Sequence, residues 1–403
     1  MVGKWKGRKS FNSCKIRDLT SQETLYLLDM KNAKLLSVFT VLTAIFLSSC
    51  NPQENTSQNK HPQEPQKPYP YYSEDVEFTN SKTGDVLAGT LTLPEKTGAY
   101  PAVVLITGSG PHNRDEEVSG GHKPFLVLAD HLTKKGIAVL RFDDRGVGKS
   151  TGDFAKATSM DFADDVESAV GYLKSRKKIE VSKIGLIGHS EGGTIATIVA
   201  GRSQDIDFIT LLAAPGIRGD SLMSIQIGLV GNSIGLSQSE ISQAREMSSA
   251  AYKVVQSTGN PKERNAKLTV LAENAFQNFP KKLMPANITK AQFVSEQVAA
   301  VTTPWWIFFL KYDPVSSLTK VTCPVLALNG GRDVQVTPKE NLTAIANSLR
   351  NLNGKVTTRE MPGLNHFFQE CDECTMQEYA KLEQTFSPKA LDEISTWVLE
   401  ITR

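Results

Sequence analysis

The pentapeptide Gly188-His189-Ser190-Glu191-Gly192 joins a continuous apolar run, KIGLIG (183–188), to a helix-forming run, TIATIVAG (194–201). A chain that passes directly from a buried strand into a helix must turn sharply. Glycines on both sides of the central residue suit that turn, because a Cβ at either place would be crowded. A strand that is apolar at successive positions has helices over both faces, so this one feature commits the region to a covered, parallel sheet.

The rest of the chain repeats that rhythm. VEFTN and VLAGTLTL, closed by Pro94, read as an opening hairpin. Strands follow at AVVLIT (102–107), IAVLRF (137–142), FITLLAA (208–214), PVLALNG (324–330) and VTTREM (356–361). Helices are expected at FLVLADHLTKKG (125–136), FADDVESAVGYLKSR (162–176), ENLTAIANSLRN (340–351) and ALDEISTWVLEIT at the end. Residues 217–318 break the alternation with polar, helix-prone sequence and read as a cap inserted into the sheet. The expected class is α/β, a mostly parallel, doubly wound sheet with a helical cap insertion, and no internal repeat is visible.

The first 72 residues do not belong to that pattern. LLSVFTVLTAIFL (35–47) carries no charge and follows Lys31 and Lys34. As a helix it would span about 20 Å, short of the ~30 Å hydrocarbon core, which is the layout of an export signal. It ends in Leu47-Ser48-Ser49-Cys50, which resembles the lipobox of bacterial lipoproteins. That resemblance implies cleavage before Cys50, acylation of Cys50, and an exported protein lipid-anchored in the bacterial envelope, on the periplasmic or surface side and most naturally at the outer membrane. Residues 30–49 form the signal, with 1–29 an over-extended start. Residues 50–72 form a polar, unstructured linker and 73–403 the folded domain. Residues 1–49 hold 8 Lys/Arg and 3 Asp/Glu, which leaves 37 against 40 in the remainder. The basic excess lies wholly in the signal region, so nucleic acid is not an implied partner. Five cysteines are too few for a disulfide scaffold.

The chemistry centres on Ser190. Between strand and helix, its hydroxyl is presented as a nucleophile and the helix N-terminus aims its dipole at a developing oxyanion. Partners are expected downstream, acid before histidine. Asp333 follows the strand ending at Gly330, and His366 is the sole histidine beyond it. Loops at strand C-termini carry sites in open sheets. The oxyanion would be held by the N–H of Glu191 and by one from the loop after residue 107, with Ser109 the first candidate and Gly108 the second. His189 reads as a packing residue. His61 falls in the linker, His112 and His122 in a loop, and His131 on a helix.

The segments ITGSGPHNRDEE (106–117), RFDDRGVGKSTG (141–152), GHSEGG (188–193), NGGRDVQV (329–336) and GLNHFFQ (363–369) go further. With them, the chain from about residue 74 resembles the α/β-hydrolase superfamily, in particular the EstD-type esterases and the neighbouring serine aminopeptidase-like hydrolases. The resemblance implies hydrolysis of a small carboxylic ester with Ser190, Asp333 and His366 as triad, Ser109 and Glu191 at the oxyanion hole, and no cofactor or metal. A serine peptidase of the same fold is the alternative, with Glu191 or Glu240 as candidates to bind a substrate amino terminus. A non-catalytic surface binding protein is the second.

Other signals carry less. Gly146–Thr151 resembles a phosphate-binding loop, but Asp143 stands where that pattern needs glycine. Asp143, Asp144, Arg145, Arg114 and Asp115 are expected to pin loops by ion pairs or to be solvated charge. Trp305, Trp306, Phe308, Phe309 and Tyr312 either line a substrate pocket or pack the cap on the sheet. Cys371 and Cys374 lack the further ligands that a metal needs; in an oxidising envelope they could form a disulfide that tightens the loop of His366, the alternative being two reduced thiols. Cys323 is expected to be buried.

Overall fold

The computed structural model describes residues 61–177, 179–279, 284, 287–352 and 354–403. The signal region, Cys14, Cys50 and the linker up to residue 60 lie outside the described residues. The chain begins with β1 (Tyr72–Thr79), β2 (Val86–Leu93), β3 (Gly98–Ile106), α1 (Pro124–Lys134) and β4 (Ala138–Phe142). Then come α2 (Ser159–Ser175), β5 (Ile179–His189), α3 (Glu191–Ala200) and β6 (Phe208–Leu212). Six helices intervene: α4 (Gly219–Ser233), α5 (Gln238–Ser257), α6 (Pro261–Asn278), α7 (Lys290–Thr302), α8 (Pro304–Lys311) and α9 (Val315–Leu318). The sheet resumes with β7 (Val325–Gly330), α10 (Pro338–Ser348), β8 (Val356–Met361) and α11 (Pro388–Thr402).

All eight strands form one sheet in the order β1-β2-β4-β3-β5-β6-β7-β8. β1 and β2 pair antiparallel, as do β2 and β4; every later neighbour is parallel. From β3 the chain winds one way to β4, and from β5 it winds the other way. The reversal places a crevice at the C-terminal ends of β3 and β5, where Ile106 pairs with Gly188.

Successive β3 residues bury opposite faces, as the two-residue pleat requires. Val104 and Ile106 pack with Val170 and Leu173 of α2 and Ile195 and Val199 of α3. Val103 and Leu105 pack with Phe125, Leu128 and Leu132 of α1 and Ile394 and Val398 of α11. This double burial explains the uninterrupted apolar strands. β8 is the exception. It is the edge strand, it is half exposed, and it reads VTTREM.

The cap has its own core, with Ile227, Tyr252, Val255, Leu268, Phe293 and Trp306 among its members. Its helices start at well-formed caps. Ser237 and Glu240 make reciprocal bonds at α5, Thr289 and Gln292 do so at α7, and the Thr303 hydroxyl accepts from Trp306 N–H at α8. Among the described residues no helix is long and apolar enough to cross a membrane.

One expectation is corrected. The polar linker is not free as far as residue 72, because residues 61–71 lie against the domain. Gln63 Nε2 donates to Phe386 O at 2.6 Å, while its Oε1 accepts from Thr385 N at 2.6 Å and Phe386 N at 3.0 Å. A glutamine amide offers one donor group and one acceptor, so it pairs with an exposed backbone as another backbone would. Lys123–Glu64 and the His61–His122 ring contact, centroids 4.2 Å apart, complete the attachment.

Candidate active site

Ser190 follows the last residue of β5 and precedes the first of α3, and it sits at φ 51°, ψ −119°. This is left-handed backbone for a residue with a side chain, a strain characteristic of functional turns. The flanking glycines are forced by contact. A Cβ on Gly188 would lie 2.0 Å from Gly192 O, and one on Gly192 would lie 2.1 Å from Ile106 O. Ser190 N–H donates to Leu212 O at 2.8 Å and Gly193 N–H to Ser190 O at 3.0 Å, which fixes the turn from both sides.

Asp333 stands in the loop after β7 and is buried. Its Oδ1 accepts from Gln335 N at 2.7 Å and Val336 N at 2.9 Å, and its Oδ2 accepts from His366 Nδ1 at 2.7 Å. Asn329, buried at the end of β7, closes this loop with Nδ2 donating to Val336 O at 2.7 Å and to Asp333 Oδ2 at 3.3 Å. His366, in the loop after β8, is held by its neighbour Asn365, whose Oδ1 accepts from Phe367 N and Gln369 N at 3.0 Å each.

Ser190 and His366 both line one cavity of about 110 Å³. Among the described residues no hydrogen bond joins Ser190 Oγ to the His366 ring. Such bonds are commonly long before substrate binds. The sheet supplies the cavity's polar floor, with Ser109, His112, Glu116, His189 and Glu191. The cap supplies apolar walls, including Leu222, Met223, Trp305, Trp306, Phe308, Phe309 and Tyr312. The aromatic helix both lines this cavity and packs the cap: Trp305 stacks on Phe309, centroids 5.1 Å apart, and buried Trp306 belongs to the cap core.

Glu191 has a second role besides its backbone. Its N–H is the first of α3 and lacks an intrahelical acceptor, the geometry of an anion donor. Its buried carboxylate accepts from Ser159 Oγ at 2.6 Å and Trp305 Nε1 at 2.7 Å, and the Ser109 hydroxyl faces it. Burial raises its pKa, and those three donors pull it back. Glu191 therefore latches the cap to the turn and is not free to receive an ammonium group. Glu240 is likewise occupied, in the cap of α5.

Gly108 does not fit the role expected of it. Its N–H donates to Glu116 Oε1 at 2.7 Å. Ser109 is thereby left as the candidate from this loop, and His112 Nε2 contacts its carbonyl at 3.1 Å. Burial lowers the pKa of His112. His189 is more than packing. Its Nδ1 lies 2.9 Å from Glu116 Oε1 and its Nε2 lies 3.0 Å from the carbonyl oxygen of His366.

The loop charges are mostly buried ion pairs. Arg114 forks onto Asp143 at 3.0 and 2.8 Å, Arg145 binds Asp165 at 2.7 Å, and Arg141 pairs with Asp115. Asp143 also takes Lys149 N–H, so its carboxylate fills the turn that resembled a phosphate loop. Asp144 departs from the expectation of an ion pair. It accepts from Thr107 Oγ1 at 2.8 Å and His112 N at 2.9 Å, and burial raises its pKa well above the usual range. Cys371 and Cys374 form a disulfide, while Cys323 is free and buried, its thiol pushed up to about 11 by burial.

Sequence reasoning missed Glu116, Ser159, Asn329 and Asn365. Asn365 and Asn329 had a signal of sorts, since each sits one to four residues from a proposed triad member. Glu116 and Ser159 had none.

Comparison with known proteins agrees with this architecture. The chain is 28% identical over 319 residues to esterase EstD of Thermotoga maritima, across 78% of this chain and 66% of the relative, just under two thirds of its length. It is 24% identical over 304 residues to an uncharacterized 31.7 kDa Escherichia coli protein, across 74% and 91% of the two chains. Among solved structures, an esterase of Pyrococcus furiosus, Pf2001, superposes with TM-score 0.50 at 15% identity, covering 87% of this chain and all of that one. A family model described as serine aminopeptidase, S33, matches residues 122–369, a span that includes Ser190, Asp333 and His366 and starts after the Ser109 loop. That match takes in more than half of the chain, and with it the chain belongs to the S33 serine aminopeptidase family of α/β-hydrolases.

Proposed function

We propose that the protein is a serine carboxylic ester hydrolase that works through an acyl-enzyme and is anchored in the cell envelope by lipid on Cys50. The carrying observation is convergence: a serine at a strained strand–helix turn and a histidine bonded to a buried aspartate open onto one apolar cavity.

In this reading Ser190 Oγ attacks the ester carbonyl carbon while His366 accepts its proton. Asp333 holds the Nδ1 proton of His366, which leaves Nε2 as the base, and stabilises the imidazolium. The N–H groups of Glu191 and Ser109 take the charge that develops on the carbonyl oxygen; a donor of this kind is worth about 3 kcal/mol. His366 then protonates the departing alcohol. Water attacks the acyl-enzyme in the second half, with His366 again as base. Trp305, Trp306, Phe309 and Tyr312 bound the substrate.

Ester is favoured over amide because the two carboxylates lining the cavity, Glu116 and Glu191, are both committed to internal bonds. Neither is available to fix a substrate amino terminus. The relationship to EstD of Thermotoga maritima points the same way.

The test is turnover of p-nitrophenyl acetate, butyrate and octanoate, with Ser190→Ala and an aminoacyl p-nitroanilide alongside. Ester turnover that vanishes in the variant is expected. Amide turnover exceeding ester turnover would overturn the ester reading, and unchanged turnover in Ser190→Ala would remove Ser190 from it. Anchoring is tested separately by incorporation of an alkyne-tagged palmitate, expected in the native chain and absent from Cys50→Ala.

A further inference from the structure

His189 is buried between two groups that only accept hydrogen bonds. The carboxylate of Glu116 faces Nδ1 at 2.9 Å, and the backbone carbonyl of His366 faces Nε2 at 3.0 Å. A neutral imidazole has one N–H and can satisfy one of them; the other nitrogen would then turn a lone pair toward an oxygen. An imidazolium satisfies both. The side chains of His189 and Glu116 are 5% and 2% exposed, so the charges are shielded from water and must be settled between them.

The same oxygen of Glu116 also accepts Gly108 N–H. Glu116 itself adopts φ 51°, a backbone that a side chain rarely takes. The links form one chain: Gly108 to Glu116, Glu116 to His189, His189 to His366. Gly108 precedes Ser109, His189 precedes Ser190, and His366 is the proposed base. The nucleophile, the base and one of the two proposed oxyanion donors are thus each one residue, or none, from this bridge.

We propose that His189 is a positioning residue, doubly protonated, whose bond to the His366 carbonyl and ion pair with Glu116 hold the base, the nucleophile turn and the oxyanion loop in one register. This rests on the roles assigned above to Ser190 and His366. The charged and titratable groups around the ring agree with it. Glu116 and His112 face it from the loop after β3, Asp333 acts on it from the loop after β7, and the His366 ring lies 4.8 Å away, centroid to centroid. Burial opposes the charge on His189, and Glu116, the His366 carbonyl and Asp333 together more than offset it, so the ring's pKa is raised while that of Glu116 is lowered. Buried pairs seldom add net stability, which makes geometry the better reason for this one.

The experiment uses the full chain with histidine labelled in the ring with 15N. At pH 8 the expected spectrum contains one imidazole with both N–H protons protected from exchange, and Glu116→Gln reduces it to one N–H. The rate at which a fluorophosphonate labels Ser190 is expected to fall about 10²-fold in His189→Gln and in Glu116→Gln, the scale of a 1 Å misplacement. The melting curve of each variant accompanies the rate. His131→Gln, at a histidine bonded to Ser395 and outside the site, is expected to label at the native rate.

A single ring N–H in the native protein would overturn the proposal, because the proton would then reside on Glu116. So would a folded His189→Gln labelling within threefold of the native rate. Failure of the ester reading looks different: no ester is turned over, yet the count of ring protons is unchanged. Should His189→Gln not fold, the ring-proton count in the native chain still decides.

Discussion

Replacing Asp333 by asparagine changes two atoms' worth of chemistry and almost no volume, and the surroundings dictate how the new amide must lie. One side of the carboxylate faces the N–H groups of Gln335 and Val336; the other faces His366 Nδ1, with Asn329 Nδ2 further off. Turning the new NH₂ toward the two backbone donors would strand both of them. At about 1–3 kcal/mol for each unsatisfied buried group, that orientation is disfavoured by about 2–6 kcal/mol. The amide therefore points its NH₂ at His366, which must accept at Nδ1 and carry its proton on Nε2. A ring in that tautomer cannot take the proton of Ser190. The expected loss in kcat is about 10⁴-fold, or ~5.5 kcal/mol of barrier, with the melting temperature nearly unchanged. Stopped assays with the butyrate ester measure the first quantity and circular dichroism the second. A folded Asp333→Asn retaining a tenth of native kcat would refute the reasoning, since no arrangement of bonds around this loop then enforces the tautomer.

Two further perturbations follow from bonds described above. Trp305→Phe removes the indole donor from buried Glu191 while keeping a ring over Phe309, so it costs about 1–3 kcal/mol. Over roughly 340 residues, 1 kcal/mol shifts melting by about 1.4 °C, giving a drop of about 1–4 °C in calorimetry together with a raised KM. An unchanged melting temperature would show that the latch is not under load. His122 is held down to about 4 by burial and then by His61, so the unfolded chain binds a proton there at a higher pH than the native one does. Stability is expected to rise with pH between about 4 and 6.5 and to be lost as pH falls through that window. His122→Gln is expected to flatten that part of a melting-temperature profile, and an unaltered slope would contradict the assignment.

How much of this was legible in the sequence depends on the range of the interaction involved. Burial on both faces leaves runs such as AVVLI with no polar residue, and the strand–turn–helix around Ser190 is local enough to read directly. Asp333 and His366 were legible because chain order and strand ends narrow the choice to few residues. Glu116 was not. It stands in the run Arg114-Asp115-Glu116-Glu117, and nothing local separates a carboxylate 1% exposed from its solvated neighbour. The Glu191 latch joins residues 32 and 114 positions apart, a meeting set by how the cap folds back and not by any motif. Gly108 was misassigned for the same reason, since its N–H is claimed by that unforeseen carboxylate. The linker was misjudged because composition reports average solvation, whereas one glutamine with three backbone bonds is enough to seat a segment.

That seated segment sets the length of a leash. With Cys50 acylated as proposed, eleven peptide steps separate the membrane from His61, the first docked residue among those described. Fully drawn out they reach about 36–40 Å, and as a random chain about 17–20 Å. A compact domain of about 340 residues has a radius of gyration near 20 Å, hence a breadth of about 50 Å. The leash is shorter than the body it holds. On that proposal the domain cannot roll freely above the bilayer, and the face bearing His61, Gly120 and Thr385 is the one turned toward the lipid. Had the linker been loose up to Tyr72, the reach would have doubled and that orientation would have been lost.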